Sequence, residues 1–140
     1  MKSSSEIKRI AKDAVVLEAN SIQNLENSIN DTFVAVIELI MKSKGRLIVA
    51  GIGKSANIAS KMVATFNSTG QPAVFLHAAD AIHGDLGNIQ EGDIVLCISK
   101  SGNTPEIKAI LPFIKKMRNP IIGLTGNMNS FLAKESDFSI

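Results

Sequence analysis

The chain has 140 residues, of which 45% are hydrophobic and 20% charged, with a formal net charge of +2 at pH 7; this length suits one domain with little room for a second. The near-neutral charge and the absence of Trp and Tyr argue against a nucleic-acid-binding surface. A single Cys excludes an intramolecular disulfide and a cysteine-rich zinc site. The sequence has no recognisable secretory signal and no apolar run long enough to span a membrane. We therefore expect a cytoplasmic protein without a membrane partner.

The N-terminal part of the chain has the pattern of amphipathic helices. Apolar side chains recur at steps of three to five residues over 7–29, which keeps them on one helical face. Residues 32–43 predict a second helix, and Gly45 is a stop signal for it. The side chains expected to face inward from the second helix are Phe33, Val36, Ile37 and Ile40. We expect residues 1–44 to form a helical segment that packs on the following domain or on a partner subunit.

Beyond Gly45 the chain alternates short apolar runs with helical patterns. The predicted strands are 46–50, 73–76, 93–98, 120–124 and 138–140. The predicted helices between them are 54–68, 104–117 and 130–134. This alternation is typical of βαβ units around a parallel sheet, and strands this apolar must be covered by helices on both faces. Residues 45–140 therefore predict a three-layer α/β domain with a parallel five-stranded sheet.

Three polar segments fall at the ends of predicted strands, at 51–55, 77–87 and 99–104. In open α/β sheets the ligand binds beyond the carboxyl ends of the strands. Because all three segments meet at that edge, the sequence places the candidate site there.

Segment 99–104 has the composition of a phosphate-binding loop. Ser99, Ser101 and Thr104 supply three hydroxyls, and Gly102 allows close approach of the backbone. The free N–H groups and the dipole of the following helix favour an anion. These features predict a phosphate monoester bound without a metal. The simpler alternative is that Thr104 only caps the helix.

Segment 51–55 admits more than one interpretation. A G-x-G-x-x-A pattern followed by Asp80 at the second strand makes a dinucleotide-binding oxidoreductase one alternative. The residues of that pattern are Gly51, Gly53 and Ala56. A Walker A loop would need Gly where the chain has Ile48, which argues against nucleoside triphosphate hydrolysis. In the other alternative, Lys54 and Ser55 reach the ligand of segment 99–104 from the opposite side of the cleft, where a lysine stabilises developing negative charge.

Segment 77–87 contains both histidines of the chain. His83 lies among small and turn-forming residues and is the candidate acid–base group, whereas His77 is expected to be structural. The possible metal ligands here match no standard zinc spacing, so we expect no metal. These are His77, Asp80, His83 and Asp85. Cys97 lies within a strand and is expected to be a small buried hydrophobic residue.

From about Gly45 to Thr125 the sequence resembles the sugar isomerase (SIS) domain, and more narrowly the D-arabinose-5-phosphate isomerases of capsule and lipopolysaccharide precursor synthesis. Four motifs carry the resemblance, in order: G-x-G-K-S at 51–55, S-T-G-x-P at 68–72, H-G-D-L-G at 83–87 and S-x-S-G-x-x-x-E-I at 99–107. The resemblance implies a flavodoxin-like sheet order and a homotetramer. It also implies interconversion of D-ribulose 5-phosphate and D-arabinose 5-phosphate for 3-deoxy-D-manno-octulosonate (Kdo) synthesis, with no redox cofactor.

The resemblance also implies roles for single residues. The phosphate is held by Ser99, Ser101 and Thr104, and Ser55 faces it; Gly53, Gly102 and Asn103 complete the candidate binding set. Lys54 and His83 match active-site residues of the isomerases. We assign Lys54 to charge stabilisation, and His83 with Glu106 to proton transfer.

The chain departs from the family pattern in two places. Many of these isomerases have Glu directly after S-x-S-G, where this chain has Asn103, and an amide does not accept a proton as a carboxylate does. Glu106 follows in the same helical turn. The family continues beyond Ile140 with a further acidic residue, a histidine, closing helices and paired CBS domains, so we expect the domain 45–140 to lack its C-terminal end. These departures keep open a second hypothesis, a non-catalytic module that binds a phosphosugar or a sugar nucleotide.

Overall fold

The apolar runs of the second part of the chain form one parallel sheet in a computed structural model that describes residues 2–140. The strands are β1 Leu47–Gly51, β2 Ala73–His77, β3 Ile94–Ile98, β4 Ile121–Leu124 and β5 Phe138–Ser139. Their order across the sheet is β2-β1-β3-β4-β5, and every pair is parallel. The predicted α/β fold with five parallel strands in a flavodoxin-like order is confirmed.

Helices connect and cover these strands. They are α1 Ser4–Asn24, α2 Asp31–Lys42, α3 Lys54–Ser68, α4 Ala78–Ile82, α5 Pro105–Met117 and α6 Phe131–Glu135. Two 3₁₀ turns add Leu25–Ser28 and Asp85–Asn88. The sequence pattern did not predict α4 or the second 3₁₀ turn, because five residues are too few to show a helical period. No helix among residues 2–140 is long and apolar enough to cross a membrane.

Side chains along each strand point alternately to the two faces of the sheet and divide the core into two layers. On one face Ile48, Val95 and Cys97 pack with apolar residues of α4, α5 and α6, and on the other Val49 and Leu96 pack with α2 and α3. Successive strand side chains point to opposite faces, so each apolar strand contributes to both layers. This two-sided burial fixes the carboxyl ends of the strands at one edge, where the polar segments emerge.

The inward face of α2 differs from the sequence prediction at one position. Val36 is buried and Ile40 packs against the core as expected, but Ile37 is 40% exposed. Leu39 packs against the core instead. The inward stripe of α2 therefore runs through 36, 39 and 40 rather than 36, 37 and 40.

Helix α1 begins as the sequence indicates and then extends away from the core. Ser3 and Glu6 form a reciprocal capping box at its start. None of its residues is buried, and Leu17 and Ile22 are more than two-thirds exposed. The domain therefore does not cover the apolar face of α1 within residues 2–140, and its packing on a partner subunit stays a prediction.

Candidate active site

The loop between β3 and α5 is organised around one buried hydroxyl. Ser99 is 2% exposed, and its Oγ lies 2.7 Å from Thr104 Oγ1. The Gly102 N–H donates to the same Ser99 Oγ at 3.1 Å. Thr104 is the N-cap residue of α5 by position, yet its side chain makes no capping bond to the helix. The first N–H groups of α5 are therefore not capped by Thr104, which leaves them available to an anion.

Asn103 connects this loop to the neighbouring helix α6. Its backbone N–H donates to Ser101 Oγ at 3.2 Å, and its side-chain Oδ1 accepts from the Phe131 N–H at 3.2 Å. The Leu132 N–H donates to the Gly102 carbonyl at 2.9 Å. The loop is thus held from β3 on one side and from α6 on the other. Sequence reasoning placed Asn103 in the site but missed this contact, because its partner lies 28 residues away in the chain.

Gly102 is required by both its conformation and its neighbours. Its φ is +64°, a region that favours glycine. A Cβ at this position would overlap the Ser130 side chain and lie 2.7 Å from Thr125 Oγ1. The loop therefore packs directly on the segments that follow β4 and open α6.

The turn after β1 brings the second polar segment to the same edge. A Cβ on Gly51 would lie 2.9 Å from the Ser55 backbone, so the first turn of α3 sits directly on the end of β1. Gly53 has a φ of +58° and precedes α3. Lys54, the first residue of α3, is exposed, and Ser55 is half-buried. Because β1 lies beside β3 in the sheet, this turn borders the 99–104 loop.

The third segment carries the two histidines into different environments. His83 is exposed and ends α4, where its N–H donates to the Asp80 carbonyl at 2.9 Å. His77 is half-buried at the end of β2. Among residues 2–140, no three His, Cys, Asp or Glu side chains are grouped so as to hold a metal ion. Burial raises the pKa of the Cys97 thiol to about 12, in keeping with the predicted buried hydrophobic role.

A cleft of about 840 Å³ lies beside the loop and shows which site residues share one space. Ser55 and Lys100 both line it, together with Thr125 and an apolar wall that includes Phe33. The sequence analysis did not select Lys100, although its place between two serines of the loop was the available signal. Of the predicted site residues only Ser55 lines this cleft; the side chains of the 99–104 loop assigned to the phosphate do not. Lys54, His83 and Glu106 do not line it either, and Glu106 is half-buried in the first turn of α5.

These features define a class: a parallel α/β domain with a hydroxyl-rich loop at a helix N-terminus, a place suited to an anion. The sequence profile of the SIS domain family matches residues 39–140. The chain belongs to the SIS domain family. This membership argues against the dinucleotide-binding alternative, since the loop after β3 rather than the glycine turn carries the hydroxyls.

Two curated relatives and one solved structure are similar to most of this chain. The chain is 42% identical over 130 residues to an arabinose 5-phosphate isomerase of Pseudomonas aeruginosa, covering 93% of this chain and 40% of that protein. It is 38% identical over 132 residues to the arabinose 5-phosphate isomerase of Escherichia coli K12, covering 94% and 40%. The chain thus spans about two-fifths of the length of these curated relatives. A solved structure from Escherichia coli CFT073, in complex with arabinose 5-phosphate, superimposes with a TM-score of 0.94 at 37% identity, covering 99% of this chain and 74% of that one.

Proposed function

We propose that this chain is the SIS domain of an aldose–ketose isomerase that interconverts D-ribulose 5-phosphate and D-arabinose 5-phosphate. The product would serve Kdo synthesis, and the reaction uses no redox cofactor. The observation that carries the proposal is the ordered loop at the start of α5, where Ser99 and Thr104 hydroxyls lie 2.7 Å apart beside free helix N–H groups. The relatives named arabinose 5-phosphate isomerase and the neighbour solved with that sugar phosphate support the choice of substrate.

The 99–104 loop is assigned to the phosphate. Ser99, Ser101 and Thr104 offer hydroxyls, and the N–H groups at the start of α5 offer a partial positive charge to the dianion. Gly53, Gly102 and Asn103 complete the assigned binding set, Gly102 by letting the loop pack on Ser130 and Thr125. Ser55 is assigned to the same ligand from the neighbouring strand end, which borders the 99–104 loop because β1 lies beside β3.

The reaction itself moves one proton between two carbons. A base takes a proton from C1 of the open-chain ketose, an enediol forms, and a proton returns at C2. We assign proton transfer at carbon to Glu106 and His83. Lys54 stabilises the negative charge that develops on the sugar oxygens. No step requires a metal or a nicotinamide.

Isomerisation of ribulose 5-phosphate with no added cofactor tests the proposal. Lys54→Ala and His83→Ala are each expected to lower kcat about 100-fold or more, because a positioned acid–base or electrostatic group contributes that much. Lys61→Ala is the matched control, since Lys61 is also an exposed lysine of α3. Normal turnover by both site variants contradicts the assignment.

One observation favours a second candidate, a non-catalytic module that binds a phosphosugar or a sugar nucleotide. Asn103 replaces a carboxylate of many isomerases, and its Oδ1 already accepts the Phe131 N–H. Thermal stabilisation by arabinose 5-phosphate, with no isomerisation by the wild-type chain, would decide for this candidate.

We also propose that residues 1–44 mediate a homotetramer and that residues 45–140 are the phosphosugar-binding domain. The exposed apolar side chains of α1 support an oligomer, because a monomer rarely exposes so continuous an apolar face. Sedimentation equilibrium of the wild-type chain and of Leu17→Glu tests this assembly. A wild-type monomer at micromolar concentration contradicts it. A cytoplasmic location accords with the lone buried thiol.

A further inference from the structure

His77 and Asp80 form a pair that none of the assignments above uses. The His77 side chain is 34% exposed, but its Nδ1 is buried and makes no hydrogen bond within residues 2–140. Asp80 Oδ2 lies 3.3 Å from that nitrogen. A carboxylate beside one ring nitrogen is placed to accept its N–H, and such a partner fixes the orientation of the ring. The pair therefore has the make-up of an acid–base group whose Nε2 is left for a ligand.

The position of His77 in the sheet suits the sugar end of the substrate. His77 is paired with Gly51 across β1 and β2, and β1 lies between β2 and β3. Adjacent strands lie ~4.8 Å apart, so the His77 backbone is roughly 10 Å from the end of β3. The six bonds from phosphorus to C1 of an extended pentose 5-phosphate span about 7–8 Å. A sugar with its phosphate in the 99–104 loop and its chain over the end of β1 brings C1 and C2 toward His77.

The imidazole also lies on the side of the sheet where α3 begins. Phe75 and His77 share one face of β2, and their ring centroids are 6.2 Å apart. Phe75 packs in the same layer as Ala59 of α3. Because α3 begins at Lys54 on the carboxyl edge, His77 and Lys54 occupy the same corner of the domain. An acid–base group and a charge-stabilising group are thus placed at the same end of the sugar.

We propose that His77, oriented by Asp80, transfers the proton between the O1 and O2 oxygens of the sugar. This role rests on the proposed isomerase function and is separate from the proton transfer at carbon. His77 is then a catalytic residue that contacts the reacting oxygens, and Asp80 is a positioning residue that acts through it.

The step balances in both halves of the reaction. His77 enters the step with protons on both ring nitrogens. When the base takes the C1 proton of ribulose 5-phosphate, the C–H electron pair forms the C1=C2 bond and the C2 carbonyl oxygen takes the proton from His77 Nε2, which leaves the neutral ring with its proton on Nδ1. The enediol then returns its O1 proton to His77 Nε2 as the C1 carbonyl forms. The C1=C2 electron pair takes a proton at C2 from the base. His77 and the base end in their starting protonation states.

Steady-state kinetics on four forms of the full chain test this role: the wild type, His77→Gln, Asp80→Asn and the control Glu91→Gln. We expect His77→Gln to lower kcat by about 10²–10⁴-fold with KM changed less than about threefold, because the phosphate contacts are untouched. Asp80→Asn is expected to lower kcat by about 10-fold through loss of imidazole orientation. Glu91 is exposed in the turn before β3, at the opposite edge, so its change from carboxylate to amide leaves kcat unchanged.

Chemical rescue separates a catalytic role from a structural one. His77→Gly leaves space where the ring stood, and added imidazole is expected to restore part of its kcat, whereas a structural role gives no such response. If His77→Gln does not fold, Asp80→Asn decides, because Asp80 is 65% exposed and tolerates the change. Wild-type kcat in His77→Gln, or in a folded Asp80→Asn, overturns the inference and leaves the isomerase function standing. A wild type that binds arabinose 5-phosphate without turnover overturns both.

Discussion

Ser99 Oγ lies 2.7 Å from Thr104 Oγ1, so the first residue after β3 contacts the N-cap residue of α5 directly. Ser99 also accepts the Gly102 N–H, which closes the loop on itself. The hydroxyls are thus arranged by the protein before any ligand is bound. Such preorganisation lowers the entropic cost of binding a phosphate.

Replacing Ser99 by Ala removes the centre of this arrangement. Thr104 Oγ1 loses its partner, whereas the Gly102 N–H keeps its bond to the Ser99 carbonyl, so we expect stability to fall by about 1 kcal/mol. We also expect the Kd for arabinose 5-phosphate to rise about tenfold or more. Calorimetric titration checks the affinity, and Ser60→Ala on the exposed side of α3 is the control. Unchanged affinity in Ser99→Ala would show that the phosphate binds elsewhere.

Gly102 gives a second test of the same loop. Gly102→Ala places a Cβ against Ser130 and Thr125 at a φ of +64°, so we expect a loss of about 2–3 kcal/mol in the free energy of unfolding. Gly87→Ala is the matched control, because a Cβ there meets nothing within 4 Å and its φ is not positive. Urea denaturation measures both. Equal stability of the two variants contradicts the packing described for Gly102.

The elements of the fold were largely readable from local patterns. Short apolar runs predicted all five strands, and no strand end in the structure differs from the prediction by more than one residue. Strands buried on both faces are continuous apolar runs, so they could be identified without an alternating hydrophobic pattern or residue β-propensities. The failures are the positions where tertiary contacts decide: the inward turn of Leu39 rather than Ile37, and the five-residue helix α4.

The composition of the sequence predicted which segments form the candidate site but not the contacts between their side chains. Hydroxyls and glycines at strand ends identified the 99–104 loop. Three relationships needed the folded chain: the Asn103–Phe131 contact, the cleft shared by Ser55 and Lys100, and the carboxylate beside His77. The first two join segments that are distant in the sequence, so spacing does not encode their meeting. The third is a local i,i+3 pair, but it depends on the short helix α4, which the sequence pattern did not predict.

The hydrogen bond between Asn103 and Phe131, which joins the 99–104 loop to α6, can be tested by mutation. Asn103→Ala removes the acceptor of the Phe131 N–H, and we expect a loss of about 1 kcal/mol in stability. Asn103→Asp keeps an acceptor oxygen and is expected to stay within about 0.5 kcal/mol of the wild type. The direct measurement is the rate of amide hydrogen exchange at Phe131, which we expect to be faster in Asn103→Ala but not in Asn103→Asp. Equal exchange in all three forms would remove Asn103 from this junction.

The opposite edge of the sheet is held by a buried carboxylate. Asp93 is 2% exposed, and its Oδ2 accepts from Arg46 Nη2 at 2.7 Å and from the Gln90 N–H at 2.9 Å. Burial alone raises the pKa of Asp93, but the hydrogen bonds from Arg46 and the backbone outweigh it and hold the pKa below its usual value. Asp93 therefore couples the start of β1 to the start of β3 in its charged form.

The sign of the pH dependence follows from that depressed pKa. Above the unfolded value near pH ~4 the charged Asp93 contributes its full stabilisation, and the contribution is lost as the pH falls through the lower folded pKa. Asp93→Asn is expected to cost about 3 kcal/mol at pH 7, since Arg46 loses its charge partner, and to flatten the stability profile between pH 5 and the acid transition. Asp13→Asn, which breaks the exposed pair with Arg9, is the control and is expected to change stability by less than about 0.5 kcal/mol. Urea unfolding at a series of pH values measures the stability of both variants. If Asp93→Asn loses stability in acid as steeply as the wild type does, another carboxylate is responsible for the pH dependence.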